Sequence, residues 1–341
     1  MRVALKEALR WEGATSPNPV VGAAIVREGR LLAKGAHRKA GSPHAEVEAF
    51  KALADPGLAH GATLYVTLEP CSTHGRTPPC TEAILRAGVA RVVIGGLDHN
   101  PRHAGRALDY LRQRGVEVVE GVLQPECEAA NRAFFKRVVT GKPWVIAKAA
   151  FSLDERLSLP PGRGQWLTGL KARRDAHRLR TKVDAILVGA GTVRADNPQL
   201  TIRGVRAPAG KAQPWRVVLA RDREKLPPSA RLFNDAHASR TLVYCRESLE
   251  HVLEDLASRH GVNTLLVEGG GEVLGAFFAQ HLVDEVCFYM APLRAGAGTT
   301  RVGGGAPGSW KRGVRVTEPR FSALGADWKM EARVFYEFEM G

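Results

Sequence analysis

Short apolar runs of strand composition alternate with longer segments in which apolar residues recur every three or four positions, and this alternation runs through most of the chain. The pattern predicts a helix over residues 2–11, then a turn through Pro17 and Pro19 into a strand at VVGAAIV, with a short neighbouring strand at 31–33. A helix over 44–53 with Pro43 at its start, a strand over 61–68 and a helix from about Cys80 to Gly88 follow. Strands at 89–95 and 116–119 and helices at 105–114 and 125–138 complete this part. Strands separated by helices stack as an α/β/α sandwich.

The pattern changes at RVVTGKP, and a new strand begins at Trp144, which places a boundary between domains 1–142 and 143–341. The second part reads as a helix over 170–180, strands at 144–149, 185–188, 216–219, 241–245, 263–267 and 285–290, and a helix near 273–279. A C-terminal pair of strands covers 314–321 and 328–338. The expectation is a second α/β core, its sheet mostly parallel with antiparallel strands near one end.

Length agrees with two domains, since 341 residues with 44% in the apolar set can bury more than one core. Lys and Arg exceed Asp and Glu by 49 to 35, a net charge of +14 that favours anionic partners without choosing among them. Five scattered cysteines make no disulfide framework and point to a reducing compartment. The N-terminal segment reads as an amphipathic helix, and no run approaches the ~20 apolar residues of a membrane span. A soluble cytoplasmic protein with no membrane partner is expected.

Polar chemistry concentrates between Pro43 and Cys80. His44, Cys71 and Cys80 are an imidazole and two thiols placed at a predicted helix start, a strand end and a second helix start. Three such ligands suit a zinc ion whose fourth position stays open for water, whereas a structural zinc takes four protein ligands. Glu46 is then the proton shuttle, as in zinc-dependent base deaminases. His44 and Glu46 two apart on one helix would not face the same way, so they must approach the metal differently. His74 in the intervening loop is a rival ligand that would close the site. Asn18, between two prolines, presents an amide able to read a heterocycle edge. His37, His60, His99 and His103 read as surface or turn residues, with His37 near the mouth.

His44-Ala45-Glu46, Glu69-Pro70-Cys71 and Gly75-Arg76-Thr77-Pro78-Pro79-Cys80 together resemble the cytidine-deaminase-like superfamily, and within it the RibD family of bifunctional riboflavin biosynthesis proteins. Nucleic-acid deaminases of the superfamily carry P-C-x-x-C. Here eight residues separate the cysteines, and Ser16 to Ala23, SPNPVVGA, also matches the riboflavin branch. The resemblance implies a ribosylamino-pyrimidinone phosphate substrate whose 2-amino group is hydrolysed, with Asn18, Arg76 and Thr77 at pocket positions. Ala107 stands where the family's D-x-N-P-x-x-x-G-x-G ends in glycine.

In the second domain the segment EGGGEV, from Glu268 to Val273, lets backbone amides approach an anion at a helix start, although it is not the GxGxxG fingerprint. A second polar stretch, Gly189 to Arg203, offers Arg194 and Arg203 for phosphate and Thr192 and Asp196 for ribose hydroxyls. These stretches resemble the family's reductase half, which is dihydrofolate-reductase-like and uses NADPH. The resemblance places Ala150, Trp166, Thr192, Asp196, Gly270, Gly271, Glu272 and Val273 by the cofactor, and Arg180, Leu200, Arg203 and Glu268 by the sugar phosphate. It also implies a homodimer or homotetramer formed through this domain.

Two departures stand out. Glu155 replaces the glycine of the family's SLDG, and Gly164 replaces the serine that precedes Gln165-Trp166. They leave open a deaminase whose second domain is degenerate. A nucleic-acid deaminase or binding module is disfavoured by 6% aromatic residues without a basic-aromatic series. A structural zinc module is the remaining alternative.

Overall fold

The structure, a computed structural model of the chain, describes residues 1–73, 78–100, 105–160, 162–163, 166–296 and 314–336. It divides into two compact units, Met1–Lys142 with Pro208–Lys211, and Pro143–Ala207 with Ala212–Gly341.

The first unit runs α1 (Arg2–Leu9), β1 (Gly22–Arg27), β2 (Arg30–Ala36), α2 (Ala45–Lys51), β3 (Thr63–Leu68), α3 (Cys80–Arg86), β4 (Arg91–Gly96), α4 (Arg106–Arg112), β5 (Glu117–Val119) and α5 (Gln124–Thr140). The sheet order is β2-β1-β3-β4-β5. β1 is antiparallel to β2 and β3, whereas β3, β4 and β5 are parallel. Glu28 and Gly29, both left-handed, make the tight β1–β2 turn whose twist matches the strands. Two glycines let helices lie directly on this hairpin. A Cβ on Gly22 would overlap the backbone of Ala4 in α1, and one on Gly35 would overlap Ala45 and Ala49 in α2. Gly35 therefore brings the N-terminus of α2 down to the sheet. Ile25, Leu64, Val66, Ile84, Val92, Ile94 and Leu111 form the centre of the core.

The second unit runs β6 (Trp144–Ser152), α6 (Leu170–Lys182), β7 (Ala185–Gly189), α7 (Ala190–Asp196), β8 (Trp215–Ala220), α8 (Arg231–Asn234), β9 (Thr241–Cys245), α9 (Leu249–Ser258), β10 (Thr264–Val267), α10 (Gly271–Ala279), β11 (Glu285–Ala291), β12 (Val314–Leu324) and β13 (Asp327–Tyr336). Its eight strands are ordered β12-β13-β11-β6-β10-β7-β8-β9. Strands β11 through β9 run parallel, and the β12–β13 hairpin adds antiparallel at the β11 side. Buried on both faces, the central strands AILVG and TLLV are nearly all apolar. The mixed α/β layering expected from periodicity is present in both units.

Three of the helices, α7, α8 and α9, lie outside the elements predicted from hydrophobic periodicity. α9 has a regular signal: Ser248 caps it by accepting from the His251 N–H, and Leu249, Val252, Leu253, Leu256 and Ala257 form its buried stripe. α7 is short and follows β7 without a loop, so the polar stretch after Gly189 is helical over Ala190–Asp196.

Glu155, which stands in place of a glycine, adopts φ +62° in a turn closed by Glu155 N–H to Ser152 O at 2.9 Å. Asp154 fastens the same turn, its carboxylate accepting from the Ser152 hydroxyl and from the Ala295 and Gly296 amides. The turn forms in spite of the bulky residue, which bears the left-handed strain. Glu155→Gly is expected to raise unfolding stability by about 1 kcal/mol, read as a rise in the denaturant midpoint without a change in slope.

Candidate active sites

In the first unit, His44 is the N-cap of α2 with extended backbone, φ −74° and ψ 164°, and the helix begins one residue later at Ala45. The helix predicted to include His44 therefore starts after it, and this resolves the facing problem. His44 projects from extended chain and Glu46 from the first helical turn. Cys80 is the first residue of α3, and Cys71 follows the end of β3. His44 Nδ1 lies 3.2 Å from Cys80 Sγ and 3.5 Å from Cys71 Sγ, and the three ligand atoms all lie within 4.8 Å of one another. Ligands about 2.3 Å (sulfur) and 2.1 Å (nitrogen) from a tetrahedral zinc would stand roughly 3.6 Å apart, so the trio fits such an ion.

The charge state of the trio supports the same reading. Hydrogen bonds from Cys80 and His44 hold the Cys71 thiol down at about 4, while Cys71, burial and Glu46 push Cys80 up. A divalent ion would let both sulfurs be thiolates. Glu46 is 3% exposed, and burial raises its carboxyl to about 6, within reach of proton exchange near neutrality.

His37 differs from the expectation of a surface or turn residue. It is 3% exposed, with its ring edge-on to His44 at 5.5 Å between centroids. Its Nδ1 bonds Pro43 O at 3.1 Å, so Nδ1 carries the proton and Nε2 accepts from the Asn18 amide nitrogen at 3.0 Å. Burial keeps the imidazole below its ordinary range and hence neutral. The Asn18 turn is also tied to α5: Asn131 exchanges two hydrogen bonds with the Val20 backbone, and Arg137 donates to Pro17 O. Nothing local in the sequence linked Asn131 to Asn18, because 113 positions separate them (131 − 18).

Glu69 is buried at the end of β3, and its carboxylate accepts from the Asp98, Gly105 and Ala107 amides at 3.0–3.2 Å. It holds both ends of the polar 98–107 segment beside the site, a role its place at a strand end only hinted at. Arg76, Thr77 and His74 lie outside the described residues.

In the second unit, a charged cluster gathers at the C-terminal end of β10. Arg180 on α6 meets Glu268 in a bidentate pair, Nε to Oε1 at 2.7 Å and Nη2 to Oε2 at 2.9 Å, and its Nη1 donates to Thr201 O at 3.0 Å. Lys148 on β6 places Nζ 3.8 Å from Glu268. Burial alone would raise Glu268, but Arg180 and Lys148 outweigh it and hold the carboxyl at about 2. Arg203 bonds the Thr201 hydroxyl only at 3.5 Å, and Leu200 is buried with φ +51°.

The glycines of EGGG have a packing duty beyond ligand approach. A Cβ on Gly269, or on Gly189 at the start of α7, would come within 2.8 Å of Val273. Gly270 lies against the Thr192 hydroxyl and caps α10, so Thr192, Gly270, Gly271, Glu272 and Val273 share one corner. Trp166 precedes α6, half exposed, with the Arg173 guanidinium 5.1 Å from its ring centroid. Ala150 is half-buried on β6, and burial raises the Asp196 carboxyl at the end of α7. No hydrogen bond joins Ala150, Trp166 or Asp196 to Gly270–Val273 among the described residues. Gly164 lies outside them.

A buried glutamate beside a His/Cys/Cys trio, followed by a dihydrofolate-reductase-like α/β unit, defines the class of a metal-dependent deaminase joined to a reductase. Residues 1–96 match the cytidine and deoxycytidylate deaminase zinc-binding region, and residues 143–330 match the RibD C-terminal domain. The chain is 37% identical to the riboflavin biosynthesis protein RibD of Aquifex aeolicus, over 96% of this chain and 95% of that protein. It is 39% identical to the Escherichia coli RibD, over 87% and 88%. The RibD structure from Acinetobacter baumannii superposes with a TM-score of 0.88 at 33% identity, covering 98% of this chain and 97% of that one. A Thermotoga maritima diaminohydroxyphosphoribosylaminopyrimidine deaminase/5-amino-6-(5-phosphoribosylamino)uracil reductase superposes with a TM-score of 0.86 at 34% identity and the same coverage. The chain belongs to the RibD family.

Proposed function

We propose that this chain deaminates 2,5-diamino-6-ribosylamino-4(3H)-pyrimidinone 5′-phosphate and then reduces the ribosyl group of the product to ribityl with NADPH. The observation that carries the reading is the His44–Cys71–Cys80 trio with Glu46 buried beside it, in one chain with a RibD C-terminal domain. Bound by the trio, zinc would supply the Lewis acidity that makes water a nucleophile near neutral pH. Glu46 would accept the proton of the attacking water and return it to the departing amine. Asn18, with its amide nitrogen committed to His37, offers its carbonyl oxygen to the pyrimidine edge, and Arg76 and Thr77 contribute pocket contacts. Glu69 and Asn131 position the segments around them.

In the second unit NADPH, when bound, would supply the hydride. Ala150, Trp166, Thr192, Asp196 and Gly270 to Val273 hold the cofactor, and Arg180, Leu200, Arg203 and Glu268 hold the substrate, with Gly164 at the place of the family serine. The protein positions the reactants and excludes water. The ordered turn around Glu155 favours a working reductase over a degenerate one. The chain acts in the cytoplasm on a small phosphorylated pyrimidine and not on nucleic acid or a membrane; no helix among the described residues is long and apolar enough to cross one. It forms a homodimer or homotetramer through the second unit, whose β12–β13 hairpin exposes Phe321, Trp328 and Phe335.

The test supplies the diaminopyrimidinone nucleotide to zinc-loaded protein and measures ammonia, then follows NADPH absorbance. Ammonia release with substrate-dependent NADPH loss is expected. Ammonia without NADPH loss leaves the degenerate-reductase reading, and neither product rejects the proposal.

A further inference from the structure

His177 sits on α6 three residues before Arg180, the spacing that places two helical side chains on one face. It lies within electrostatic reach of Arg180 on its own helix, Arg203 in the segment after α7, Lys148 on β6 and Glu268 after β10. Its Nδ1 is buried and has no hydrogen-bond partner among the described residues. Buried histidine nitrogens are ordinarily paired, and the Nδ1 of this part-buried ring is not, among the described residues.

The surrounding charges indicate what is missing. Arg180 spends Nε, Nη1 and Nη2 on Glu268 and Thr201. Among the described residues Arg203 makes only the 3.5 Å hydrogen bond with Thr201. Among the described residues, the charges that act on His177 are three cations, Lys148, Arg180 and Arg203, and one carboxylate, Glu268, an excess of two positive charges at this ring. That excess matches a phosphate monoester dianion.

We propose that His177 is a further substrate-binding residue of the reductase unit, its Nδ1 hydrogen-bonding a phosphate oxygen of the substrate beside Arg203. The assignment rests on the reductase reading of this unit. In the free protein, burial and the Arg180 and Arg203 charges push the imidazole down to about 4, so it waits neutral. A bound dianion reverses the local field, and the imidazole then gains affinity for a second proton.

Ribose 5-phosphate titrated into the full-length protein tests this directly, with histidine ring signals followed by NMR and the His177 signal assigned from its loss in His177→Asn. The His177 signal is expected to move on binding and its pKa to rise by about one unit or more. In steady-state assays His177→Leu is expected to raise the reductase KM about tenfold with little change in kcat. His177→Asn, whose amide occupies the place of Nδ1, is expected to recover most of that loss. Equal melting temperatures for the two variants would show that the KM difference is not one of folding. A His177 signal unmoved by ribose 5-phosphate, or a His177→Leu KM within about twofold of the unaltered protein, overturns the proposal. If the unaltered chain oxidises no NADPH, the reductase reading fails, and the titration still decides whether His177 meets phosphate.

Discussion

Glu46→Gln is expected to lower ammonia release by about 10²–10⁴-fold while leaving zinc content at one ion per chain. The substitution keeps the shape of the side chain and removes only its capacity to take up and return a proton. Glu46 ligates nothing in the His44–Cys71–Cys80 trio, so metal retention separates lost proton transfer from a lost site. A neutral amide is also easier to bury than a carboxylate at 3% exposure, so the variant should melt at or above the temperature of the unaltered protein. NADPH oxidation with the deaminated intermediate should be unaffected. Ammonia release within about tenfold of normal would show that another group moves the proton.

Glu268→Ala is expected to cost about 3–5 kcal/mol of stability and to abolish NADPH oxidation. The side chains of Glu268, Arg180 and Lys148 are 9%, 12% and 18% exposed, so removing the carboxylate leaves two cations poorly solvated and unpaired. The loss should appear as a lower urea midpoint of the second unit. Glu268→Gln should cost less, because it can still accept from Arg180. The pH dependence has a definite sign. The folded carboxyl is held at about 2 against an ordinary value of 4.5, so its contribution is present above about 4.5 and is lost as pH falls toward 2. Glu268→Gln should therefore show a shallower loss of stability than the unaltered chain over that interval.

Much of this site chemistry was legible locally. The ligand residue types, the acid two positions after His44, and the strand-end and helix-start placement of Cys71 and Cys80 are features of short segments, and the metal trio assembles from them. α9 was equally legible, since Ser248 and the Leu249–Ala257 stripe carry an ordinary helix signature. The facing conflict between His44 and Glu46 was not resolvable from spacing, because it depended on whether the helix starts at residue 44 or 45. That depends on His44 taking extended backbone, which helical propensity does not indicate.

The sequence by itself determined the alternation of strands and helices, the two-part organisation and the residue types available for metal and phosphate, because hydrophobic period and ligand chemistry are written in short windows. Only the tertiary structure decided that His37 pins Asn18, that Glu69 holds the Asp98, Gly105 and Ala107 amides, that Gly189 and Gly269 make room for Val273, and that His177 Nδ1 has no partner among the described residues while three cations act on the ring. Each of these depends on side chains from distant segments meeting at a few ångströms. Chain separation carries no information about such meetings until the sheet order and the close helix contacts have fixed where each segment lies.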